Sequence, residues 1–259
     1  MSEITRLLEI AATAAFDAGR VIMEIYQSGE LHTEIKQDET PLTKADRLSH
    51  EIISKQLQQT GLPVLSEEGM NIDLSERKKW EYFWLVDPLD GTKEFINRNG
   101  EFTINIALVW KNTPIAGIIH SPYTDMLYMG SEEAGIFKME KGKQINCTPL
   151  PKKLHLKDIL NKEKIRVVAS RSHTSNETIK FIEQLPNATL ISMGSSLKFI
   201  LLLENKADIY PRFGKTMEWD TAAAHAILKA SNRGIYYTDL KSELVYNKPD
   251  LGNPFFIAF

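Results

Sequence analysis

The sequence is almost free of cysteine: Cys147 is the only one in 259 residues. A single cysteine cannot build an internal disulfide framework, so small disulfide-rich secreted folds are excluded and a reducing compartment is favoured. Cys147 lies in "QINCTPL", with no histidine pattern beside it. We therefore interpret it as a structural residue and not as a nucleophile or a metal ligand.

Long apolar runs are also missing. No uninterrupted apolar stretch is long enough to span a bilayer, so no transmembrane segment is expected. The N-terminal stretch "MSEITRLLEIAATAAFDAGRVIMEIY" is amphipathic and carries acidic residues throughout, unlike an export signal with its basic start and small-residue cleavage site. These absences predict a soluble, cytoplasmic protein.

An excess of positive charge is absent as well. The chain has 31 Lys and Arg residues against 34 Asp and Glu, a formal net charge of −3, and its basic residues are scattered. Without a positive field, nucleic-acid binding is not expected as a main role. The six histidines show no H-E-x-x-H or similar spacing, which disfavours zinc.

What is present is an ordinary globular composition, 42% hydrophobic and 25% charged. Apolar residues at helical spacing predict a helix over 4–25 that ends near Gly29 and a second helix over 43–59 that Gly61 stops. Residues 83–137 contain short apolar stretches separated by turn residues, a pattern that predicts strands joined by turns. The first part of the chain is therefore predicted to combine helices with a large, mostly antiparallel sheet.

The second part of the chain has a different pattern. After a polar, lysine-rich passage over 140–158, strands alternate with helices, which is typical of an α/β unit. We predict two lobes. Residues 1–145 form an α+β lobe with the antiparallel sheet and the metal motifs, and residues 146–259 form an α/β lobe with the substrate-binding residues and Asp220.

Three acidic motifs indicate the chemistry. "VLSEEGM" places Glu67 and Glu68 after a short apolar stretch, "FWLVDPLDGT" leads a hydrophobic strand into Asp87 and Asp90, and "MEWDTAAAHAIL" sets Asp220 at a helix start. A buried acid at a strand end must be paired or must bind a cation. Carboxylates suit hard divalent cations, and Mg²⁺ binds to a few carboxylates together with a substrate phosphate. Two such cations can activate water and stabilise the leaving oxygen of a phosphoryl transfer.

Each acidic motif also has a purely structural alternative that the residues alone leave open. Glu67 and Glu68 can form a solvated turn, as we expect for Glu132 and Glu133 in the similar stretch "SEEAG". Asp220 can act only as a helix cap.

The turn after the strand favours an anion site. Gly91 allows close backbone approach, and a helix that starts at Thr92 directs its N–H groups at a phosphate. "LDGT" also has some likeness to the D-x-D-G-T of enzymes that form an aspartyl-phosphate. Here the spacing is D-x-x-D-G-T and antiparallel strands follow, so a covalent mechanism is not expected.

In combination, "SEEG", "WLVDPLDGTKEF" and "EWDTAAAHA" resemble the inositol monophosphatase superfamily of Mg²⁺-dependent, Li⁺-sensitive phosphatases. "TPLTKAD", "DPLDGTKEFINRNGEFTINIAL", "SRSH", "GSSLKF" and "ADIYPRFGKTMEWDTAAAHA" are similar to its 3'(2'),5'-bisphosphate nucleotidase branch, and the resemblance covers essentially the whole chain. It implies a layered α-β-α-β-α sandwich. The implied reaction is hydrolysis of the 3'-phosphate of adenosine 3',5'-bisphosphate to AMP, with a role in sulfur assimilation.

The resemblance also implies a cofactor and partners. The cofactor is Mg²⁺, as two or three ions, and the partner is a small nucleotide bisphosphate. A monomer or a homodimer is expected, and peripheral association with the cytoplasmic face of the inner membrane stays open.

Carried over by position, the resemblance implies roles for individual residues. The metal ligands are Glu67, Asp87, Asp90 and Asp220, with the backbone carbonyl of Leu89. The catalytic residues are Asp46, Glu67 and Thr92. The Thr92 hydroxyl orients an attacking metal-bound water, Asp46 polarises that hydroxyl, and Glu67 helps to draw off the proton, so no phosphoenzyme forms. Asp46 has an alternative, because Thr43 and Asp46 also make a plausible capping pair for the second helix.

Substrate contacts are implied for Glu67, Leu89, Asp90, Gly91, Thr92, His173, Ser195, Lys198, Arg212 and Asp220. The second phosphate falls to Ser195, Lys198 and Arg212, since a helix start and a guanidinium both suit an anion. In "SRSH", Arg171 and His173 follow a strand and could face the cleft.

These substrate residues have structural alternatives too. Lys198 can extend its ammonium to solvent from an apolar helix, Arg212 can form a surface ion pair, and His173 can cap a helix. Lys215 stands where the family often has proline, and its effect is open.

Two other functions remain as alternatives. An inositol monophosphatase or sugar bisphosphatase would share the metal motifs, but inositol monophosphate lacks the second phosphate that Ser195, Lys198 and Arg212 are predicted to bind. A regulatory protein that binds metal and nucleotide without catalysis is disfavoured, because the acidic set and Thr92 are intact.

Overall fold

A computed structural model describes residues 2–29, 33–35, 41–145, 156–172 and 175–259. Cys147 and His173 lie outside these ranges, as does most of the lysine-rich passage. The boundary predicted between the two lobes falls at the start of one of these gaps, so the division into lobes stays a prediction.

The helices of the described residues are α1 (Glu3–Ser28), α2 (Lys44–Leu57), α3 (Leu74–Arg77), α4 (Thr92–Ile96), α5 (Leu156–Leu160), α6 (Asn176–Glu183), α7 (Leu197–Leu203) and α8 (Glu218–Ala230). The strands are β1 (Glu34–Ile35), β2 (Pro41–Leu42), β3 (Val64–Ser66), β4 (Tyr82–Asp90), β5 (Thr103–Trp110), β6 (Thr113–Ser121), β7 (Met126–Ser131), β8 (Gly135–Glu140), β9 (Lys143–Ile145), β10 (Ile165–Ser170), β11 (Ala188–Met193), β12 (Tyr210–Arg212), β13 (Ile235–Tyr237) and β14 (Phe256–Ala258).

The first two helices begin and end where the sequence predicts. The Ser2 side chain caps α1 by accepting from the Thr5 N–H, and Gly29, at φ 77°, ends the helix. A short 3₁₀ turn, Gln58–Thr60, extends α2 as far as Gly61, which has φ 75°. Both glycines adopt the left-handed conformation that closes helices, so these two predictions are confirmed.

The larger sheet contains strands β3 to β9 in sequence order, and each pair is antiparallel except β3 with β4. Within β4, Trp84 and Val86 pack on the side of α1 and α2, whereas Phe83 and Leu85 face α7 and α8. A strand covered on both faces is apolar without alternation. This burial explains why "FWLV" is a continuous hydrophobic run.

The second layer of strands, called the smaller sheet below, consists of a two-stranded sheet of β10 and β11 and a three-stranded sheet in the order β12-β14-β13. Strands β10 and β11 are parallel to each other. An isolated parallel bridge between Val167 in β10 and Ile209, the residue before β12, connects the two sheets. Strand β14, which the sequence reading missed, lies between β12 and β13 and is antiparallel to both. The chain end "FFIAF" is therefore a central strand.

The elements stack in five layers. Helices α1 and α2 cover the outer face of the larger sheet, α7 and α8 lie between the two sheets, and α5 and α6 cover the smaller sheet from outside. The predicted α-β-α-β-α sandwich is confirmed. Helix α8 lies so close to β6 that a Cβ added at Gly117 would lie 2.2 Å from the carbonyl oxygen of Ala223. Among the described residues, none of the helices is both long and apolar enough to cross a membrane.

Candidate active site

A cleft of about 480 Å³ opens where the end of β4, the start of α4, the turn before α7 and the start of α8 meet. Nearly all of the predicted site residues line it: Glu67, Asp87, Leu89, Asp90, Gly91, Thr92, Ser195, Lys198, Arg212 and Asp220. Asp46 lies behind Thr92 and is joined to it by a hydrogen bond. His173 is the one predicted contact that lies outside the described residues.

The end of β4 holds its acids at fixed positions. Asp87, with 1% of its surface exposed, pairs with Asn105 on β5, and the pairing is irregular between Asp87 and Asp90. Asp87 Oδ1 accepts from the Leu89 N–H at 3.1 Å, and the Ser49 hydroxyl donates to the Pro88 carbonyl at 2.6 Å. Rigid backbone on both sides of the turn thus orients the carboxylates.

The acids of the cleft repel one another. Burial, followed by the charges of Glu67, Asp90 and Asp220, raises the pKa of Asp87 well above its ordinary value. The pKa of Asp220 is likewise raised well above normal, by burial and then by Asp90 and Glu67. Buried like charges of this kind are stabilised by a cation.

Asp90 is bound on several sides. Burial raises its pKa, while the positive charge of Lys198 and the hydrogen bond from Ser196 act in the opposite direction. The Ser196 hydroxyl donates to Asp90 Oδ2 at 2.9 Å, and the amide of Asn105 donates to the same oxygen at 3.4 Å. Asp90 therefore connects the end of β4 with the turn before α7.

Asp220 lies at the start of α8, as predicted. Its Oδ2 accepts from the Met217 N–H at 2.8 Å, which completes the first turn of the helix. One carboxylate oxygen of Asp220, Oδ2, therefore caps the helix, as the structural alternative proposed. This cap does not exclude a second role, because the residue also lines the cleft.

Asp46 makes both of the interactions that the sequence left as alternatives. Its Oδ2 accepts from the Thr43 N–H at 2.7 Å and the Thr43 hydroxyl at 2.5 Å, so it caps α2. Its Oδ1 lies 3.0 Å from the Thr92 hydroxyl. Because a hydroxyl donates one proton, donation to Asp46 leaves the Thr92 oxygen free to accept a hydrogen bond from a molecule in the cleft.

Two basic side chains also line the cleft, Lys198 and Arg212, and the charge of Lys198 acts on Asp90. Lys198 is 7% exposed, and its Nζ donates to the Ser195 carbonyl at 2.5 Å. Burial lowers the pKa of Lys198 to about 8, although the charge of Asp90 works against this shift. Arg212 is 8% exposed, and its Nη2 donates to the Lys215 carbonyl at 2.9 Å. The alternatives of an ammonium extended to solvent and of a surface ion pair are therefore wrong.

Two residues outside the predicted site, Ser196 and Asn105, contact Asp90. Ser196 and Asn105 were not assigned roles, although a buried asparagine within the apolar strand "FTINIAL" is a detectable signal.

Arg171, which was expected to face the cleft, is not among its lining residues. Its guanidinium binds Glu101 instead, with both contacts at 2.7 Å.

The model of one protein family, the inositol monophosphatase family, matches residues 3–253. The chain belongs to the inositol monophosphatase family. Members of this family are metal-dependent phosphatases. The carboxylates of the cleft, whose pKa is raised by burial and then by mutual repulsion, fit a hard divalent cation of the kind that such enzymes use.

Individual members of the inositol monophosphatase family are similar over nearly the full length. The 3'(2'),5'-bisphosphate nucleotidase CysQ of Salmonella typhimurium is 40% identical over 233 residues, which cover 89% of this chain and 90% of the relative. The crystal structure of CysQ from Bacteroides thetaiotaomicron is 41% identical, with a TM-score of 0.83 and coverage of 99% and 97%. A staphylococcal inositol monophosphatase, at 17% identity, 100% and 91% coverage and a TM-score of 0.76, shares the fold alone.

Proposed function

We propose that this protein is a metal-dependent 3'(2'),5'-bisphosphate nucleotidase that hydrolyses the 3'-phosphate of adenosine 3',5'-bisphosphate. The observation that carries the proposal is one cleft with two unlike walls. The acidic wall is formed by the carboxylates of Asp87, Asp90 and Asp220 and the basic wall by the buried cations Lys198 and Arg212, and the two meet where the charge of Lys198 acts on Asp90. The names of the relatives support the same substrate.

The acidic wall would hold the metal. The proposed ligands are the carboxylates of Glu67, Asp87, Asp90 and Asp220 and the carbonyl oxygen of Leu89. Within the described part of the chain, no group of three or more Asp, Glu, His or Cys side chains is arranged to hold a metal ion. Water and a substrate phosphate would therefore complete the coordination, as Mg²⁺ commonly requires. A bound divalent cation would supply positive charge to the phosphate oxygens and acidify water.

The residues around Thr92 would handle the proton of the attacking water. Asp46 accepts from the Thr92 hydroxyl at 3.0 Å, so the Thr92 oxygen can accept a hydrogen bond from a molecule in the cleft. A water molecule that donates to Thr92 is oriented, and Glu67, which also lines the cleft, can accept its proton. With no nucleophilic side chain needed, hydrolysis proceeds by direct attack on phosphorus.

The backbone after β4 would bind the phosphate that is cleaved. Gly91 has φ 92°, a conformation in the left-handed region that favours glycine. The helix α4 begins directly after it, and its first N–H groups lie at the cleft beside Thr92. Backbone N–H groups in such a turn suit phosphate oxygens.

The basic wall would select a substrate with a second phosphate. Lys198 and Arg212 are almost fully buried and line the same cleft, and an ammonium and a guanidinium can both bind a phosphate. The single phosphate of inositol monophosphate would already be bound at the acidic wall. A nucleotide bisphosphate supplies the second anion.

The test is phosphate release in the presence of Mg²⁺, with kcat/KM compared for adenosine 3',5'-bisphosphate, inositol 1-phosphate and fructose 1,6-bisphosphate. The expected result is a strong preference for the nucleotide. Preference for either of the other esters would keep a metal-dependent phosphatase but refute the proposed substrate. Absence of Mg²⁺-dependent release from all three would favour a regulatory protein without catalysis. The oligomeric state, the number of Mg²⁺ ions and the cellular location stay predictions from the sequence.

A further inference from the structure

A carboxylate beside the cleft joins three separate segments of the chain. Glu101 accepts from Arg171 Nε and Nη2, both at 2.7 Å, and from the Gly194 N–H, also at 2.7 Å. The Glu101 side chain is 16% exposed and that of Arg171 is 46% exposed. Neither residue lines the cleft, so any effect on substrate is indirect, through residues such as those of the turn at 194–196.

Arg171 holds the other side of the same turn. Its Nη2 donates to the Ser192 carbonyl at 3.0 Å, and its backbone N–H donates to the Met193 carbonyl at 3.2 Å. Arg171 therefore binds the two residues before the turn, Ser192 and Met193, and its partner Glu101 binds Gly194. A bidentate guanidinium–carboxylate pair fixes orientation as well as distance.

The turn itself is tightly packed and strained. A Cβ at Gly194 would lie 2.8 Å from Glu94 Cγ and 2.9 Å from Glu101 Cβ, so the backbone rests directly on these two side chains. Ser195, the next residue, has φ 44°. A serine in the left-handed region persists only where its surroundings determine it.

The same carboxylate residue also lies against the position proposed for the cleaved phosphate. A Cβ at Gly91 would lie 3.0 Å from the Glu101 carbonyl oxygen and 3.3 Å from Ser195 Cβ. On the other side, Lys198 donates to the Ser195 carbonyl at 2.5 Å. Glu101 therefore packs against Gly91 through its carbonyl oxygen, and its carboxylate holds the turn that carries Ser195.

We propose that Glu101 and Arg171 are positioning residues that set the distance between the binding positions of the two phosphates, and that they thereby determine the preference for a bisphosphate over a monophosphate. This inference rests on the proposed function. Loosening the turn displaces Ser195 and Lys198, which only a substrate with a second phosphate contacts. The turn also reaches the acidic wall, because Ser196 donates to Asp90, so hydrolysis of an ester with one phosphate is expected to fall as well, but by a smaller factor than hydrolysis of the bisphosphate.

The test compares two substrates that differ only in the second phosphate, adenosine 3',5'-bisphosphate and adenosine 3'-monophosphate. For Arg171→Gln we expect kcat/KM to fall by about ten- to a hundredfold with the bisphosphate, and by about threefold or less with the monophosphate. Glu101→Gln should give the same selective loss, and the double variant should lose little more, because the two residues act as one unit. Arg171→Lys, which keeps the charge but not the bidentate geometry, should recover part of the preference.

Arg166→Gln is the matched control. Arg166 also belongs to the β10 region and makes a bidentate pair, with Asp208, but it does not line the cleft. Its substitution should leave the ratio of kcat/KM values for the two substrates unchanged. Thermal melting of each variant checks the fold, and if Arg171→Gln does not fold, Glu101→Gln and Arg171→Lys carry the test.

The outcomes separate the two proposals. A wild-type protein that does not prefer the bisphosphate refutes the proposed function, and this inference with it. A wild-type preference that Arg171→Gln and Glu101→Gln leave unchanged overturns the inference alone. Equal losses with both substrates also overturn it, since they would indicate general destabilisation of the active site.

Discussion

Asp46 illustrates how one carboxylate serves two purposes. Oδ2 completes the capping box of α2 with Thr43, and Oδ1 accepts from Thr92 at the cleft. From sequence alone these functions compete as explanations, because a capping pair and a catalytic pair use the same residue types. The geometry removes the conflict: the two oxygens point to different partners, and the cap fixes the orientation in which the second oxygen meets Thr92.

The stretch "SEEG" allows a matched comparison at the residue scale. Glu67→Gln is expected to lower kcat by about two to four orders of magnitude, because it removes both a proposed metal ligand and a proton acceptor. Glu132→Gln, in the similar stretch "SEEAG", lies on an exposed turn and should leave activity unchanged. Steady-state phosphate release measures both variants. Equal activity of the two variants would contradict the role of Glu67.

Thr92 provides a second comparison. Thr92→Val keeps the shape but removes the hydroxyl that donates to Asp46, so kcat is expected to fall by about two to four orders of magnitude. Thr92→Ser keeps the hydroxyl and should stay within about tenfold of the wild-type kcat. Single-turnover kinetics at saturating substrate separate this effect from substrate binding. A valine variant with wild-type turnover would rule out the proposed proton path.

At the scale of elements, the ends of helices were the most predictable features. Gly29 and Gly61 end α1 and the turn after α2 because glycine adopts positive φ at little cost. Strand β14 was missed for an equally physical reason. Its residues are apolar on both faces, since Phe256 packs towards α7 and α8 and Ile257 packs towards α5 and α6. Without alternation, a short apolar run at the end of a chain gives no periodic signal.

The junction of β10 and β12 makes a testable contribution to acid stability. Asp208 accepts from the Arg166 N–H, from the Arg166 guanidinium and from Lys162, and these contacts lower its pKa to about 2. Because the pKa is depressed in the folded state, this stabilisation is present above the ordinary pKa of 3.8 and is lost as pH falls towards 2.

Asp208→Asn is therefore expected to lower the free energy of unfolding at pH 7 by about 1–2 kcal/mol, a value reduced by the partial exposure of the two basic partners. The difference from wild type should shrink between pH 4 and pH 3. Urea unfolding at several pH values measures it. Glu163→Gln, an exposed acid in the neighbouring loop, is the control. A difference that grows at low pH would contradict the assignment.

At the scale of the whole molecule, motif spacing could predict which residues matter but not how the walls of the cleft meet. The five layers were predicted, and nearly all of the predicted site residues line the cleft. The contact between Asp90 and Ser196 spans 106 positions, and that between Arg171 and Glu101 spans 70. Such pairs depend on the packing of α7 and α8 between two sheets, and no local pattern records them. The placement of Arg171 in the cleft rested on its position at the end of a strand. In the structure, Arg171 pairs instead with Glu101, 70 positions away.

Metal binding should stabilise the entire fold. Four acidic side chains repel one another in the cleft, so a divalent cation that binds only the folded state raises the midpoint of unfolding. We expect EDTA to abolish phosphate release, Mg²⁺ to restore it, and Tm to rise with Mg²⁺ concentration. Asp87→Asn should fold, lose turnover by orders of magnitude and lose most of the Mg²⁺-dependent rise in Tm.

Differential scanning calorimetry with and without Mg²⁺ measures this rise in Tm. Glu132→Gln should behave as wild type in the same experiment, because it removes an acid of equal charge from an exposed turn. A rise in Tm of equal size in Asp87→Asn would place the cation elsewhere.

The close approach of α8 to Gly117 has a consequence for how new substrate preferences can arise. Since an added methyl group at Gly117 would meet the helix backbone, α8 and its Asp220 cannot shift without moving the larger sheet. The turn at 194–196, by contrast, rests on a partly exposed ion pair. Substitutions at the turn 194–196 are therefore expected to change substrate choice at a smaller cost to the fold than substitutions that move α8.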